Sequence, residues 1–338
     1  MTEAMVTDGT IALRNLEAQI EGLQPEAALC RAPVDERVRL IDLLALRGSI
    51  LGTIADYERA QELADRLVHG AITAAPAFFA RAQARALFHR FADALEDLEV
   101  AERLGADADV VNRERAAVFQ GLGRYDEAFA IREEAAHRSP SFESLGALTT
   151  LHAERGDTER AVRLHAESVR RYRGISPLPL ATLNFQLGVM WMREGDFDRA
   201  RDLLTAARRY VAAYVPAQGH LAEVEAELGN PESAVALLYP LATTSDDPDY
   251  AGQLARILAD VGSTEEARYW RQHAAERYDE LIALHPEAFA DHAADFWLGV
   301  GEPQKALRLA QVNFANRETP RARALLSRAV AACEAASA

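Results

Sequence analysis

Residues that interrupt helices or cross-link chains are scarce in this sequence. Its 338 residues include 19 glycines, 13 prolines and two cysteines. Glycine and proline are the least favourable residues in helix interiors, and runs of β-branched residues are also few, so the composition favours helix over sheet. Cys30 and Cys333 have no neighbouring cysteine and no metal-ligand spacing. This arrangement indicates two reduced thiols rather than a disulfide framework or a zinc site.

Basic residues and long apolar segments are also in short supply. Acidic residues outnumber basic ones by 52 to 37, and Lys305 is the sole lysine. The formal charge of −15 argues against a nucleic-acid ligand, because phosphate binding needs a basic surface. We find no apolar run long enough to span a membrane and no signal-peptide pattern at the N-terminus. We therefore expect a cytoplasmic protein, and the alanine- and arginine-rich composition is typical of bacteria with GC-rich genomes.

Motifs of catalysis and cofactor binding are missing as well. The sequence contains no glycine-rich dinucleotide loop, no phosphate-binding loop with its lysine, no GxSxG nucleophile elbow and no HExxH zinc motif. We therefore expect a protein that is not an enzyme and that carries no cofactor and no metal.

What the chain does contain is a repeat. Short segments that end in alanine recur at intervals of 33 or 34 residues, with two intervals of 39. The aligned alanines are Ala27, Ala60, Ala94, Ala128, Ala161, Ala200, Ala234, Ala267 and Ala306, of which the first belongs to a weaker copy. Such self-similarity along most of a chain is the signature of a repeat array.

Each repeat has the same internal order. An apolar-periodic segment ends at a glycine, and a second segment begins at a polar residue followed by the aligned alanine, as in Gly195, Asp196 and Ala200. The aspartate can accept backbone N–H groups at the start of the second helix. The alanine is expected where the two helices cross closely, because a larger side chain there would overpack the crossing. The turn glycines predicted in this way are Gly123, Gly156, Gly195, Gly229, Gly262 and Gly301, and the predicted cap residues include Asp56, Asp157, Asp196, Asn230 and Ser263.

The pattern resembles the tetratricopeptide repeat family. Residues 181–214 match it best, with Gly188, Trp191, Phe197 and Ala200 at the family's small and large packing positions. The resemblance extends over about nine repeats. It implies an all-α fold, an α-solenoid in which helix-turn-helix repeats wind into a right-handed superhelix. In this family the first helix of each repeat lines a concave groove, the usual ligand surface.

The domain prediction follows from the repeats. Residues 1–318 are predicted to form the repeat array, with a degenerate first repeat and a bend near residues 174–179, where the sequence reads GISPLP. Residues 319–338 are predicted to form a C-terminal capping helix and tail. The two intervals of 39 residues, after Ala161 and Ala267, predict extended helices, since five extra residues lengthen a helix by about 7.5 Å. These extensions are either tolerated insertions or ridges through which the protein forms a homo-oligomer.

Candidate binding residues come from the groove positions that the resemblance implies. The family's chaperone-binding clamp needs basic residues at certain of these positions, which here are occupied by residues such as Glu143, Gly146 and Ala147, so that role is not expected. Acidic residues outnumber basic ones in the groove, which favours a basic partner. The predicted partner-binding residues are Phe185, Arg193, His220, Glu223, Glu227, Gln253, Arg256, Asp260, Asp291, His292 and Asp295.

The predicted function is a non-catalytic scaffold or adaptor that binds a partner segment, basic in character, in an acidic concave groove. The alternative is an enzyme or enzyme subunit with a metal or small-molecule site around His220, Glu223 and Glu227, which share one helical face. Histidine–carboxylate pairs three residues apart can hold a transition metal, as in ferritin-like bundles. Asp291 and His292 belong to a similar cluster two repeats further along, too distant to share the same ion.

Overall fold

The computed structural model describes residues 5–23 and 32–337, and this part of the chain contains 18 α-helices and no β-strand. The all-α fold is therefore confirmed. The helices are α1 (Gly9–Leu23), α2 (Val34–Leu51), α3 (Ile54–Gly70), α4 (Ala75–Leu87), α5 (Phe91–Arg103), α6 (Ala108–Leu122), α7 (Tyr125–Arg138), α8 (Phe142–Glu154), α9 (Thr158–Arg171), α10 (Leu178–Arg193), α11 (Phe197–Tyr210), α12 (Val215–Glu227), α13 (Pro231–Thr244), α14 (Pro248–Asp260), α15 (Thr264–Leu284), α16 (Pro286–Val300), α17 (Pro303–Asn316) and α18 (Pro320–Ser337).

The helices from α2 to α17 follow the predicted repeats, two to a repeat, and the pairs α4/α5, α8/α9, α10/α11, α14/α15 and α16/α17 pack closely. The aligned alanines lie in the second helix of each pair. All eight from Ala60 to Ala306 are at most 5% exposed. The ninth, Ala27, lies outside the described residues, as does Cys30, whereas Cys333 is a buried free thiol. The burial of the alanines agrees with the close packing that the sequence predicts at these positions.

The turns between paired helices also agree with the sequence. All six predicted glycines have φ between 75° and 87°, a left-handed conformation that side chains disfavour. Asp157 and Asp196 cap α9 and α11 by accepting the N–H groups three residues on. Two cap predictions are wrong. Asp56 lies inside α3, where Arg47 binds its carboxylate, and Ser263 makes no side-chain cap hydrogen bond.

The two long repeat intervals have different structures. Helix α15 has 21 residues, which confirms the extension predicted after Ala267. The extension predicted after Ala161 is wrong, because α9 has 14 residues, as many as α11. The extra residues lie instead in the α9–α10 connection, where Pro177 and Pro179 fit the start of a new helix better than the continuation of the old one. There the backbone oxygen of Ile175 accepts a hydrogen bond from the Thr7 N–H at 2.7 Å.

The chain divides into two compact units. The first unit comprises Met1–Ala60 and Asp126–Leu241, and the second comprises Gln61–Tyr125 and Ala242–Ala338. Each unit thus combines segments far apart in sequence. In the first unit, α1 and α2 pack against the helices from α10 to α12. In the second, the turn after α4 packs against the start of α16, where Phe88 stacks on His285 with ring centroids 4.0 Å apart.

The C-terminal helix α18 packs on α16 and α17 in the second unit. Its first turn is capped by Thr319, whose hydroxyl accepts the Ala322 N–H at 3.1 Å. Ala322, Leu325, Ala329 and Cys333 form its buried face. Over the ranges that the structure covers, no helix combines the length and the apolar character that crossing a membrane requires.

Candidate partner-binding surface

In the first unit, α8, α10 and α12 are the first helices of three successive repeats, and we call the surface that they form the first-helix face. Helix α2 packs against α10 and α12 on this face. Ile50 of α2 is fully buried there and packs with Leu178 and Ala181 of α10, with Ala217 of α12 and with Tyr214, which directly precedes α12. Leu13 of α1 packs against the same cluster. Part of the surface on which the family would bind a ligand is therefore covered by the chain's own N-terminal helices.

Phe185 and His220, two of the predicted binding residues, meet on this face. Their rings stack with centroids 5.3 Å apart and planes only 7° from parallel. Phe185 is partly buried, since it also packs against the Ile50 cluster and lies 5.4 Å from the Tyr214 ring. Phe185 is therefore only partly accessible to a ligand.

The charged residues predicted in the first unit differ in how they are paired. Arg193 forms an ion pair with Glu154, with 2.8 Å between Nη1 and Oε1. Glu223 lies 3.5 Å from the His220 ring nitrogen Nδ1 and is one-third exposed. Glu227, one turn further along α12, is exposed and forms no ion pair within the described ranges. Glu223 and Glu227 thus face solvent without an arginine or lysine partner in this part of the chain.

In the second unit, the predicted acidic residues are largely neutralised. Asp291 is paired with Arg317, which extends from the C-terminus of α17. Asp295 is paired with Arg328 of α18 at 2.5 Å, although both side chains are more than half exposed. Gln253 donates to Asp249 Oδ2 at 2.6 Å. Arg256 and Asp260, also on α14, are exposed.

His292 lies among carboxylates in the second unit. Its Nδ1 atom is 3.8 Å from Asp249 Oδ1, and its Nε2 atom is 4.0 Å from Asp291 Oδ1. The negative charge of Asp291, with further contributions from Asp249 and Asp247, raises the pKa of His292 to about 10. Burial alone would raise the pKa of Asp291, but the positive charges of His292 and Arg317 outweigh this effect and lower the pKa to about 2. At neutral pH, therefore, His292 is an internal counter-ion and Asp291 is already paired.

Neither histidine–carboxylate cluster is arranged as a metal site. Within the described ranges, no group of three or more histidine, cysteine, aspartate or glutamate side chains is placed to hold a metal ion. His220 uses its ring to stack on Phe185, and His292 pairs with carboxylates that Arg317 and Gln253 also engage. The side chains do share helical faces as predicted, but they do not converge on one point.

The first-helix face contains a pocket that the sequence does not predict. Its volume is about 330 Å³, and it lies between α2, α8 and α10. The residues that line it include Glu143, Gly146 and Ala147, the positions at which the chaperone clamp was found to be absent. The two small residues there were a signal of open space. Leu46 of α2 also lines the pocket. Because Leu46 is far in sequence from α8 and α10, no local sequence pattern could reveal that it lies beside them.

Comparison with known proteins identifies the repeats. Residues 192–257 match the tetratricopeptide repeat family model. This stretch of the chain consists of tetratricopeptide repeats. This match covers both helices of one repeat, α12 and α13, together with α11 of the repeat before and most of α14 of the repeat after, and it agrees with the turn glycines and buried alanines elsewhere in the chain.

Solved structures of similar fold are distant in sequence. The human IFIT1 dimer with m7Gppp-AAAA is 15% identical, with a TM-score of 0.57 over 89% of this chain and 72% of that one. The APC/C hetero-tetramer Cut9–Hcn1 is 17% identical, with a TM-score of 0.51 over 95% of this chain and 73% of that one. No curated protein matches the sequence. At these identities the similarity shows the fold of this chain and not its ligand.

Proposed function

We propose that this protein is a non-catalytic scaffold that binds a basic segment of a partner protein on its first-helix face. Tetratricopeptide arrays are in general protein-interaction scaffolds, since stacked helices present a rigid extended surface. The acidic, lysine-poor composition favours a basic partner. The proposal narrows the predicted site from both units to the first unit.

The observation that carries the proposal is the difference in pairing between the two groups of carboxylates. Asp291 and Asp295 have arginine partners, so a basic ligand would have to displace Arg317 and Arg328. Glu223 and Glu227 have no arginine or lysine partner within the described ranges. A guanidinium or ammonium group could therefore pair with them without breaking an ion pair. Their uncompensated charge also attracts cations over a distance set by the ionic strength.

Two other functions have less support. A metal or small-molecule site around His220 would need convergent ligands, whereas the ring stacks on Phe185 and one carboxylate lies 3.5 Å away. A nucleic-acid ligand, such as the capped RNA in the IFIT1 structure, would meet a chain of net charge −15. Self-association through α15, a cytoplasmic location and a bacterial source stay predictions.

The proposal is tested with an arginine-rich synthetic peptide and purified full-length protein. The double variant Glu223→Gln/Glu227→Gln should weaken binding roughly two- to tenfold, because exposed ion pairs contribute modestly. It should also flatten the dependence of affinity on salt concentration. Asp295→Asn is the matched control, since that carboxylate already has Arg328 as its partner. Equal losses in the double variant and the control, or no loss in either, would reject the first-helix face as the site.

A further inference from the structure

The pocket between α2, α8 and α10 has predominantly apolar walls. Phe142 and Leu183 line it from the repeats, and Leu46 lines it from α2. Its floor includes Gly146 and Ala147 of α8. A Cβ atom added to Gly146 would make ordinary contacts, at 3.5 Å, with Leu183 Cδ1 and Ser168 Oγ. The pocket's volume of about 330 Å³ is at the lower end of the range for ligand sites and is large enough for one bulky side chain.

The neighbouring stretch of the same face already holds an apolar side chain. Leu178 lines the pocket and also packs against Ile50, which is fully buried between α10 and α12. Leu46 precedes Ile50 by four residues, so the two lie one above the other on one face of α2. Leu46 is 38% exposed, however, and borders the pocket. The first-helix face thus has two adjacent apolar positions. Ile50 fills the one between α10 and α12, and the pocket beside Leu46 is open.

One acidic residue lines the pocket and a second lies near it. Glu143 is exposed and lines the pocket, and its charge, together with the larger effect of burial, raises the pKa of Tyr172. Asp42 lies one turn before Leu46 on α2, and burial raises the pKa of its carboxyl group to about 6. The other polar residues of the lining, which include Thr182 and Gln186, are uncharged. An apolar pocket with carboxylate neighbours is complementary to an apolar side chain that has arginine or lysine beside it.

We propose that this pocket is the anchor site for one large apolar side chain of the partner segment, with an adjacent arginine or lysine bound by Glu143. This inference rests on the proposed function and specifies the partner's chemistry: a basic segment with an aromatic or large aliphatic residue in it. Burial of such a side chain contributes more to affinity than an exposed ion pair does. The pocket, rather than the charge, would then decide which basic segments bind.

Two synthetic peptides separate the pocket from the charge. Both carry arginines on either side of a central residue, which is tryptophan in one and alanine in the other. Calorimetric titration of the full-length protein should give at least about tenfold tighter binding of the tryptophan peptide. Ala147→Leu fills the pocket and should reduce this ratio to near one while leaving the affinity for the alanine peptide unchanged. Glu143→Gln should weaken both peptides alike.

Controls keep the result interpretable if a variant is unstable. Leu46→Gln changes a partly exposed wall residue, so it should fold and should also reduce the tryptophan preference. Ala331→Leu adds the same volume as Ala147→Leu at an exposed position of α18 and should change nothing. Equal binding of both peptides by the unmodified protein overturns the anchor site and leaves the scaffold proposal standing. A tryptophan preference that survives Ala147→Leu and Leu46→Gln also overturns it, and binding of neither peptide overturns both proposals.

Discussion

A single small side chain is critical to each repeat. The aligned alanines are buried where paired helices cross, and a Cβ methyl group is the largest side chain that such a crossing accommodates without displacement. Ala200 and Ala128, for example, have no exposed surface, whereas Ala331 is exposed on α18. The same residue type therefore has different importance at different positions.

We predict that Ala200→Leu and Ala128→Leu each destabilise the protein by about 1–3 kcal/mol, because the added atoms have no space at the crossing. Ala331→Leu is the matched control and should have little effect, since its side chain points to solvent. Thermal unfolding followed by circular dichroism measures the three variants. The same unfolding midpoint for all of them would show that the alanines do not mark the crossings.

Titration of His292 gives a second prediction at this scale. Its pKa is raised from 6.5 to about 10 in the folded protein, so its protonated form stabilises the fold fully below pH 6.5. That contribution is lost as the pH rises through the folded pKa. Because the ring is half exposed, solvent screens part of the effect.

The unmodified protein should therefore lose thermal stability between pH 6.5 and pH 9 relative to the variant His292→Gln, which has no charge to lose at that position. Melting temperatures of both proteins across this range measure the difference. Parallel profiles would mean that Asp291, Asp249 and Asp247 do not hold the imidazolium.

At the scale of helices, local sequence determined some features and distant contacts determined others. The turn glycines and the crossing alanines were predictable because each depends on backbone conformation or packing within one repeat. The end of α9 was mispredicted, since the helical periodicity continues to Arg173 whereas the helix ends at Arg171, ahead of Pro177. The pocket could not be predicted, because Leu46 reaches it from a helix about 100 residues away in sequence.

The docking of α1 illustrates such a distant contact and can be tested. Asp8 caps this helix, and a Cβ atom added to Gly9 would lie only 2.3 Å from the backbone oxygen of Tyr210. Gly9→Ala should therefore displace α1 and destabilise its docking by about 1–3 kcal/mol. Gly22 lies in the same helix, and no atom of the described residues lies within 4 Å of a Cβ added there, so Gly22→Ala should be neutral or stabilising by up to about 1 kcal/mol.

Hydrogen exchange of the α1 amides distinguishes the two variants. Protection should fall in Gly9→Ala and persist in Gly22→Ala. Unchanged protection in Gly9→Ala would show that α1 does not approach Tyr210 so closely, and Ile50 would then be the main contact between the N-terminal helices and the first-helix face.

At the scale of the molecule, charge and fold have separate roles. The net charge of −15 favours basic partners and disfavours phosphate-rich ones, but it does not determine where a partner binds. The repeat fold provides first-helix surfaces, and ion pairing decides which carboxylates on them are available. This reasoning selects Glu223 and Glu227 over Asp291 and Asp295 as candidate ligand contacts.

Photo-crosslinking in the source organism tests the central claim, that a protein partner binds the first-helix face. A photoreactive amino acid is placed in separate proteins at Gln186, which is exposed beside the pocket, and at Val162, which is exposed on the second helix α9. We expect one discrete protein adduct from position 186, formed in smaller yield when Glu223→Gln/Glu227→Gln is introduced into the same chain, and none from position 162. Adducts from position 162 alone, or from neither position, would contradict the account.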